Sequence, residues 1–427
     1  MRFLIAFERF SLAVFIIMTV MYAYQLVYIA IGYLKRHPKP LPQASKDHRF
    51  AIFISARNEA GVIAELIRSL HEQDYPADRF DIYVLADNCT DNTARIAAQE
   101  GACVYERENK ELVGKGYALD YLYQQVVKAK GEDHYDAFIV FDADNIVHKD
   151  FLKEINKTFD TGKFDAITTY RNSKNFGENW LTAAYSIWFM REARYVNYPR
   201  MLLGTQCMIS GTGFLVSNAI MKKNGGWPFH LLTEDIQFSV NCALDDVAIG
   251  YCDGAMVYDE QPSTMKQSWN QRLRWSKGFF QLNARYTLDL IKNCFTKKGR
   301  RLTNYDILMT ILPCSLVTIL MLILTLWICF GVTGLPFYVA KVFREEALKL
   351  LMMSIANYYF GMIGIGGLVI LTEWKRIKAT TWEKLKYLPI FPLFIATYLP
   401  ITIQAMFAKV EWKPIQHYST EELSKSR

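Results

Sequence analysis

What this sequence lacks narrows it first. None of its eight cysteines (Cys89, Cys103, Cys207, Cys242, Cys252, Cys294, Cys314, Cys329) stands in a C-x-x-C pair. Neither a zinc site nor a disulfide framework is therefore indicated, and free thiols in a reducing compartment are expected. There is no internal repeat and no low-complexity linker. Charged residues are scarce at 21%, against 51% hydrophobic and 14% aromatic. That is still too much charge for a chain lying wholly in a membrane, so the apolar excess must be concentrated in segments. The 427 residues leave room for one large domain plus something else. The net charge of +7 then marks the cytosolic side of those segments rather than a nucleic-acid surface, and no nucleic-acid partner is expected.

The segments are where the apolar residues gather. Residues 10–34 are nearly all apolar and long enough to cross a bilayer as a helix. They exceed the h-region of a signal peptide, and no small-residue cleavage site follows. Lys35, Arg36, His37 and Lys39 come next, so the chain is expected to emerge into the cytosol, with Arg2 and Arg9 weighing slightly against this. Near the other end, residues 307–335, 355–371 and 388–407 are each near spanning length. The last carries Pro389, Pro392 and Pro400, which predict a kinked or re-entrant path. Lys375, Arg376, Lys378, Lys384 and Lys386 put the preceding loop in the cytosol. Residues 276–295 mix Phe279, Phe280, Leu282, Tyr286 and Leu290 with Lys277, Arg285 and Lys292, as an amphipathic helix on the membrane surface would. The resulting division is 1–45 helix and linker, 46–275 cytosolic domain, 276–300 interface helix, and 301–427 spans and tail.

Within the soluble stretch, strands are predicted over 50–56, 81–86, 103–105 and 137–142, and further ones over 166–171 and 206–214. Helices are predicted over 58–70, after the turn cluster 87–93, from Gly114-Lys115-Gly116 to 127, over 180–198, and from Glu234 with Thr233 as cap. Strands alternating with helices imply a parallel sheet with both faces covered. Ligands of such sheets bind outside the carboxyl ends of the strands. Three polar strand ends converge there: Ser55–Glu59, Asp87-Asn88, and Asp142-Ala143-Asp144. Taken alone, D-x-D is an ordinary acidic turn. Two carboxylates two residues apart on a strand point the same way and suit a hard divalent cation shared with phosphates. Glu234-Asp235 alone is a well-capped helix start, and Gln271–Trp275 alone a solvated basic helix with a core tryptophan.

The ordered set is more specific than its members. Glu59, Asp87, Phe141-Asp142-Ala143-Asp144-Asn145, Thr233-Glu234-Asp235 and Gln271-Arg272-Leu273-Arg274-Trp275 follow one another with membrane segments on both sides. The set resembles the processive family 2 glycosyltransferases, the superfamily of cellulose, chitin, hyaluronan and poly-N-acetylglucosamine synthases, over residues 50–295. The resemblance implies an α/β, Rossmann-like GT-A domain on the cytosolic face of a multi-pass plasma-membrane protein. It implies an inverting hexosyltransferase that extends a β-linked glycan from a UDP-sugar and passes it outward. Ala56 and Glu59 would line the uridine pocket, Asp87 would hold the uracil or ribose edge, and Lys115 would pair with the diphosphate. Asp142 and Asp144 would hold Mg²⁺ or Mn²⁺ against that diphosphate. Asp235 would be the general base. Gln271 and Arg274 would close the donor site, with Arg274 on the departing diphosphate, and Trp275 would stack beneath the acceptor sugar.

The sequence departs from the family in two places. No F-x-V-T-x-K gating segment is present, and Ala379-Thr380-Thr381-Trp382 and the tail 412–417 are the only substitutes for it. The membrane part is also small for a channel made by one subunit, which leaves room for a homo-oligomer or an export partner. Ceramide glucosyltransferases carry a similar series, so a non-processive transferase adding one sugar to a membrane lipid is the alternative. A catalytically silent export subunit would lack one of Asp142, Asp144, Asp235 or Trp275, and all are present. No residue names the sugar or the linkage.

Overall fold

Phe50–Ala56 (β1) is buried along nearly all its length because both its faces are covered. In a computed structural model describing residues 2–38, 40–297, 299–331, 334 and 336–410, β1 lies inside an eight-stranded sheet. The other strands are Phe80–Asp87 (β2), Cys103–Arg107 (β3), Ala137–Asp142 (β4), Ile146–Val147 (β5), Ala166–Ser173 (β6), Phe214–Ser217 (β7) and Ile249–Asp259 (β8). Their order is β3-β2-β1-β4-β7-β6-β8-β5.

Alternation along β1 assigns the two faces. Ile52 and Ile54 pack with Ile63, Leu66, Ile67 and Leu70 of the helix Ile63–His71 and with Leu152 and Ile155. Ala51 and Phe53 pack on the opposite face with Leu119, Leu122 and Val126 of the helix Lys115–Lys130. Each such fully buried Leu or Ile contributes about 1.5–3 kcal/mol.

The parallel sheet expected from the sequence holds for β1 to β4. Beyond β4 the sheet is mixed, because β7 runs antiparallel to β4 and β6, and β5 antiparallel to β8. Three local differences have backbone causes. The helix expected from residue 58 starts at Ile63, because Asn58 sits at φ 59°, which a right-handed helix does not contain. The strand expected over 206–214 is only Phe214–Ser217, because Gly211 (φ 79°) and Gly213 (φ 64°) break the extended run. The helix Trp180–Glu192 widens to i→i+5 bonding over Ala193–Asn197 before Tyr198–Leu202 resumes.

The apolar segments differ from the plain spans expected. Residues 10–34 divide into Arg2–Tyr22, whose window Ile5–Tyr22 is long and apolar enough to cross, and the shorter Tyr24–Leu34. The second piece is held by its polar side chains, which find a partner on the helix Arg301–Ile311. Tyr24 and Tyr28 donate to Asp306 at 3.0 and 2.8 Å. Arg301–Ile311 and Ser315–Gly331 are bent by 50° at the break holding Pro313. Phe337–Thr372 is one helix of 36 residues, and the proline-bearing stretch within Thr381–Phe407 is broken into short pieces. Among the described residues three helices are long and apolar enough to cross a membrane, or four if the bent pair counts as one span.

Buried ion pairs tie these helices to the sheet. Arg200 grips Asp306 with Nε and Nη2 at 2.7 and 2.8 Å. Arg194 and Arg376 share Asp253 of β8, and Arg194 also pairs with Glu373 at the end of Phe337–Thr372. Arg376 belongs to the basic loop, so that loop and the sheet lie on one side of the apolar helices. Residues 276–295 are not a separate unit. They continue the helix Met265–Thr296, which also carries Gln271–Trp275. Residues 412–417, one candidate gating segment, lie outside the described residues. Thr380, in the other, caps a short helix through Glu383.

Candidate active site

A cavity of about 1010 Å³ opens at the carboxyl ends of β1, β2 and β4, and every site residue named from the sequence lines it. Ala56, Glu59, Asp87, Lys115, Asp142, Asp144, Asp235, Gln271, Arg274 and Trp275 are thus brought together from distant parts of the chain.

The two aspartates reach the cavity by a different route from the one alternation predicts. β4 ends at Asp142, and residues 142–145 form a turn closed by Asn145 N–H donating to the Asp142 carbonyl at 3.2 Å. Asp142 is partly open, whereas Asp144 is buried at 4% exposure. The turn is braced from beneath. Thr212 Oγ1 accepts from Asp142 N–H at 2.9 Å, and Asn145 Nδ2 donates to Asp144 (3.3 Å) and Asp259 (3.0 Å). Asp259 ends β8 and accepts from Arg171 Nε at 2.8 Å. Burial opposes its charge, but Arg171 and Gln261 outweigh that and hold its carboxyl below the usual range. Sequence reasoning missed both Arg171 and Asp259. The signal available was that of β4, an apolar run, Val257-Tyr258, ending in an acid.

Among the described residues no third His, Cys, Asp or Glu joins Asp142 and Asp144 in a metal-binding cluster. Two carboxylates are nevertheless the donor set that Mg²⁺ or Mn²⁺ takes from a protein when phosphate oxygens and water supply the rest. The residues present fit such an ion.

Lys115 opens its helix beside them, with Nζ 2.5 Å from Asp142 Oδ1 and 2.7 Å from the Gly211 carbonyl. Burial works against its charge, but Asp142, Glu234 and Asp235 outweigh it and raise its pKa. The glycines around it have separate duties. Gly114 sits at φ 142°, and a Cβ on Gly116 would lie 1.9 Å from the Phe229 carbonyl. Gly116 therefore lets the segment leading to Glu234-Asp235 pack against the Lys115 helix. Asp87, at the end of β2, accepts from Arg107 Nη1 at 3.0 Å, and burial raises its pKa against that pairing.

Glu234 and Asp235 begin the helix Glu234–Leu244, as expected, with Thr233 at the cap position. The Thr233 hydroxyl makes no capping bond, contrary to the expected role. Its side chain is pressed against Gly278 instead, where an added Cβ would stand 2.6 Å from Cγ2 and from Oγ1. The Gly211 N–H donates to Asp235 Oδ2 at 2.6 Å. Burial pushes Glu234 up to about 7 and raises Asp235 as well, while Lys115 and Arg274 pull both down.

Gln271, Arg274 and Trp275 share the face of their helix that lines the cavity. Gln271 Oε1 is buried with no hydrogen-bond partner among the described residues, an acceptor left facing the cavity wall. Arg272 points the other way and donates to the Phe394 carbonyl (3.0 Å) and Thr397 Oγ1 (2.5 Å). Trp275 is both packed against the domain and part of the cavity wall. Its ring packs edge-on against Tyr185 (6.0 Å, 83°) and Phe189 (6.1 Å, 78°) and still lines the cavity.

The Gly278–Thr233 contact gives a direct expectation. Gly278→Ala should cost about 1–3 kcal/mol of stability, the usual price of overpacking. It should also weaken transfer more than UDP binding, because it displaces Thr233–Asp235. Thermal unfolding and calorimetry with UDP check this, and wild-type stability with full turnover would contradict it.

Residues 48–278, more than half of the chain, match the family described as Glycosyltransferase like family 2. The chain belongs to this glycosyltransferase family. It is 28% identical over 287 residues to a beta-monoglucosyldiacylglycerol synthase of Nostoc sp., covering 64% of this chain and 58% of that one. It is 25% identical over 261 residues to a poly-beta-1,6-N-acetyl-D-glucosamine synthase of Staphylococcus epidermidis, covering 58% of each. The chain thus spans just over half the length of these curated relatives. Among solved structures, the mannosyltransferase PcManGT from Pyrobaculum calidifontis, in complex with GDP-Man and Mn²⁺, superposes with a TM-score of 0.50 at 16% identity. The match covers 92% of this glycosyltransferase and 99% of that one, a likeness of fold.

Proposed function

We propose that this glycosyltransferase moves a hexose from a UDP-sugar, with inversion, to an acceptor held at the cytosolic face of the plasma membrane. The observation that carries the reading is the continuity of the cavity. It runs from Asp142, Asp144 and Asp235 past Trp275 to Met309, Pro313 and Ser315 at the break in the bent helix pair. In this reading Ala56, Glu59 and Asp87 hold the nucleoside, and Lys115 and Arg274 hold the diphosphate. Asp142 and Asp144 would hold Mg²⁺ or Mn²⁺, which when bound stabilises the charge gathering on the leaving UDP. Asp235 takes the proton from the acceptor hydroxyl as that oxygen bonds to the anomeric carbon and the carbon–oxygen bond to the diphosphate breaks.

Where the cavity stops supports a lipid-linked acceptor and a glycolipid product. Among the described residues, none from 316–331 or from Phe337–Thr372 lines it, and it ends among residues 309–315 of the bent pair and Ile395, Tyr398 and Thr402 of Thr381–Phe407. The Nostoc relative, named for a glucosyldiacylglycerol, supports the same product class. Extension of a β-linked glycan, of the β-glucan or poly-N-acetylglucosamine type, is the second reading. It is favoured by the Trp275 ring in the wall, a flat apolar surface that suits a sugar face. The basic loop beside the sheet supports a cytosolic catalytic domain.

The test is a panel of radiolabelled UDP-glucose, UDP-N-acetylglucosamine, UDP-galactose and GDP-mannose supplied to membranes holding the enzyme. One of the UDP-sugars should be consumed with release of UDP and formation of a β-linkage. Consumption of GDP-mannose alone, or a retained α-linkage, would contradict the proposal.

A further inference from the structure

One wall of the cavity carries polar groups that the donor site does not use. Arg191 and Glu192 end the helix Trp180–Glu192, and both are half-buried against the cavity. Neither has an ion-pair partner within 4.0 Å among the described residues. The Arg191 guanidinium lies over the Trp188 ring at 4.9 Å, and Nη2 donates to Gln25 Oε1 at 3.2 Å. Glu192 has only a long contact, Ser210 Oγ donating to Oε2 at 3.5 Å. Ser210 precedes Gly211, whose N–H holds Asp235, so Glu192 lies close to the group that would take the acceptor proton. The neighbouring charges are already spent, since Arg200 and Asp306 engage each other twice and Tyr24 and Tyr28 both donate to Asp306.

We infer that Arg191 and Glu192, with Gln25 and Trp188, form a subsite for the acceptor's headgroup, and that this headgroup is neutral and bears hydroxyls. The inference rests on the membrane-acceptor reading above and adds the chemistry of the acceptor. A half-buried carboxylate with one weak contact accepts from a hydroxyl, and the guanidinium beside it donates to a hydroxyl, ether or ester oxygen. The pair sums to zero charge, and Arg200 is neutralised by Asp306. A phosphate placed there would meet Glu192 and Asp306 beside Arg191, with Arg171 and Arg200 already held by Asp259 and Asp306. A glycerol or sugar headgroup uses the donor and the acceptor together without leaving a charge unpaired.

The experiment uses the full-length enzyme with the UDP-sugar it consumes. Phosphatidylcholine vesicles carry diacylglycerol, glucosyl-diacylglycerol or phosphatidylglycerol. Transfer is expected to one or both neutral lipids and to exceed that to phosphatidylglycerol. Glu192→Gln and Arg191→Gln should each raise the KM for the neutral lipid by about tenfold, the worth of one charged hydrogen bond. The KM for the UDP-sugar should stay within about twofold, and UDP binding by calorimetry reports that each variant is folded. An unchanged lipid KM in both folded variants, equal rises in both KM values, or preference for phosphatidylglycerol would overturn the subsite. No wild-type transfer to any of the three would instead defeat the membrane-acceptor reading beneath it.

Discussion

Asp144→Asn should lower kcat by at least about 10³-fold, equivalent to roughly 4 kcal/mol of transition-state stabilisation. Asp144 is buried and accepts from Asn145. An asparagine fits the same volume and preserves that hydrogen bond, so the fold should survive. What it removes is one of the two carboxylates that would hold a divalent cation, and among the described residues no third His, Cys, Asp or Glu clusters with them to replace it. The same account predicts that EDTA abolishes turnover and that Mn²⁺ or Mg²⁺ restores it in the wild type but not in the variant. Thermal unfolding of the variant checks the fold. Near-normal turnover in EDTA, or full rescue of Asp144→Asn by high metal, would remove Asp142 and Asp144 from the donor site.

The second large effect is expected at Asp235. Asp235→Asn keeps an oxygen for the Gly211 N–H and leaves Lys115 and Asp142 in place. UDP should therefore still bind, while transfer falls by about 10²–10⁴-fold, the usual worth of a positioned base. The pH dependence follows from burial. Burial raises the carboxyls of Asp235 and Glu234, the latter to about 7, and a base works only when deprotonated. Activity is thus present above the raised pKa and is lost as pH falls through it. This acid limb lies above the range of an ordinary aspartate, near 3.9. In Asp235→Asn the residual rate should lose the part of this limb that belongs to Asp235. Loss of UDP binding together with activity would indicate that Asp235 holds the site together rather than taking a proton.

The parts of this molecule that were legible in its sequence share one property, which is that local pattern decides them. β1 and β4 are apolar runs bounded by polar residues, and their ends fall where the pattern puts them. Gln271, Arg274 and Trp275 share a face because helical spacing requires it. What the sequence hid was decided by partners distant in the chain. The left-handed Asn58 is held where Asn58 Oδ1 accepts from Thr90 N–H at 2.7 Å, a contact 32 residues away. Tyr24–Leu34 looks like membrane until Asp306 is seen to receive Tyr24 and Tyr28. Arg171 and Asp259 lie on strands whose pairing carries a register shift, so no short window announces their meeting below Asp144. Thr233 reads as a cap, and only the close approach of Gly278 reveals its other use.

The acceptor and its product are the centre of the account, and one assay addresses them. Membranes holding the enzyme are given limiting protein and an excess of the labelled UDP-sugar, and the label is partitioned between organic solvent and water and then sized by gel filtration. A cavity that ends among the apolar helices, at Pro313, Ser315, Tyr398 and Thr402, predicts label in the organic phase, on a lipid carrying a short glycan, with release of one UDP per sugar added. A water-phase product excluded from the column, with almost none in organic solvent, would contradict that prediction and establish chain extension past Trp275 instead.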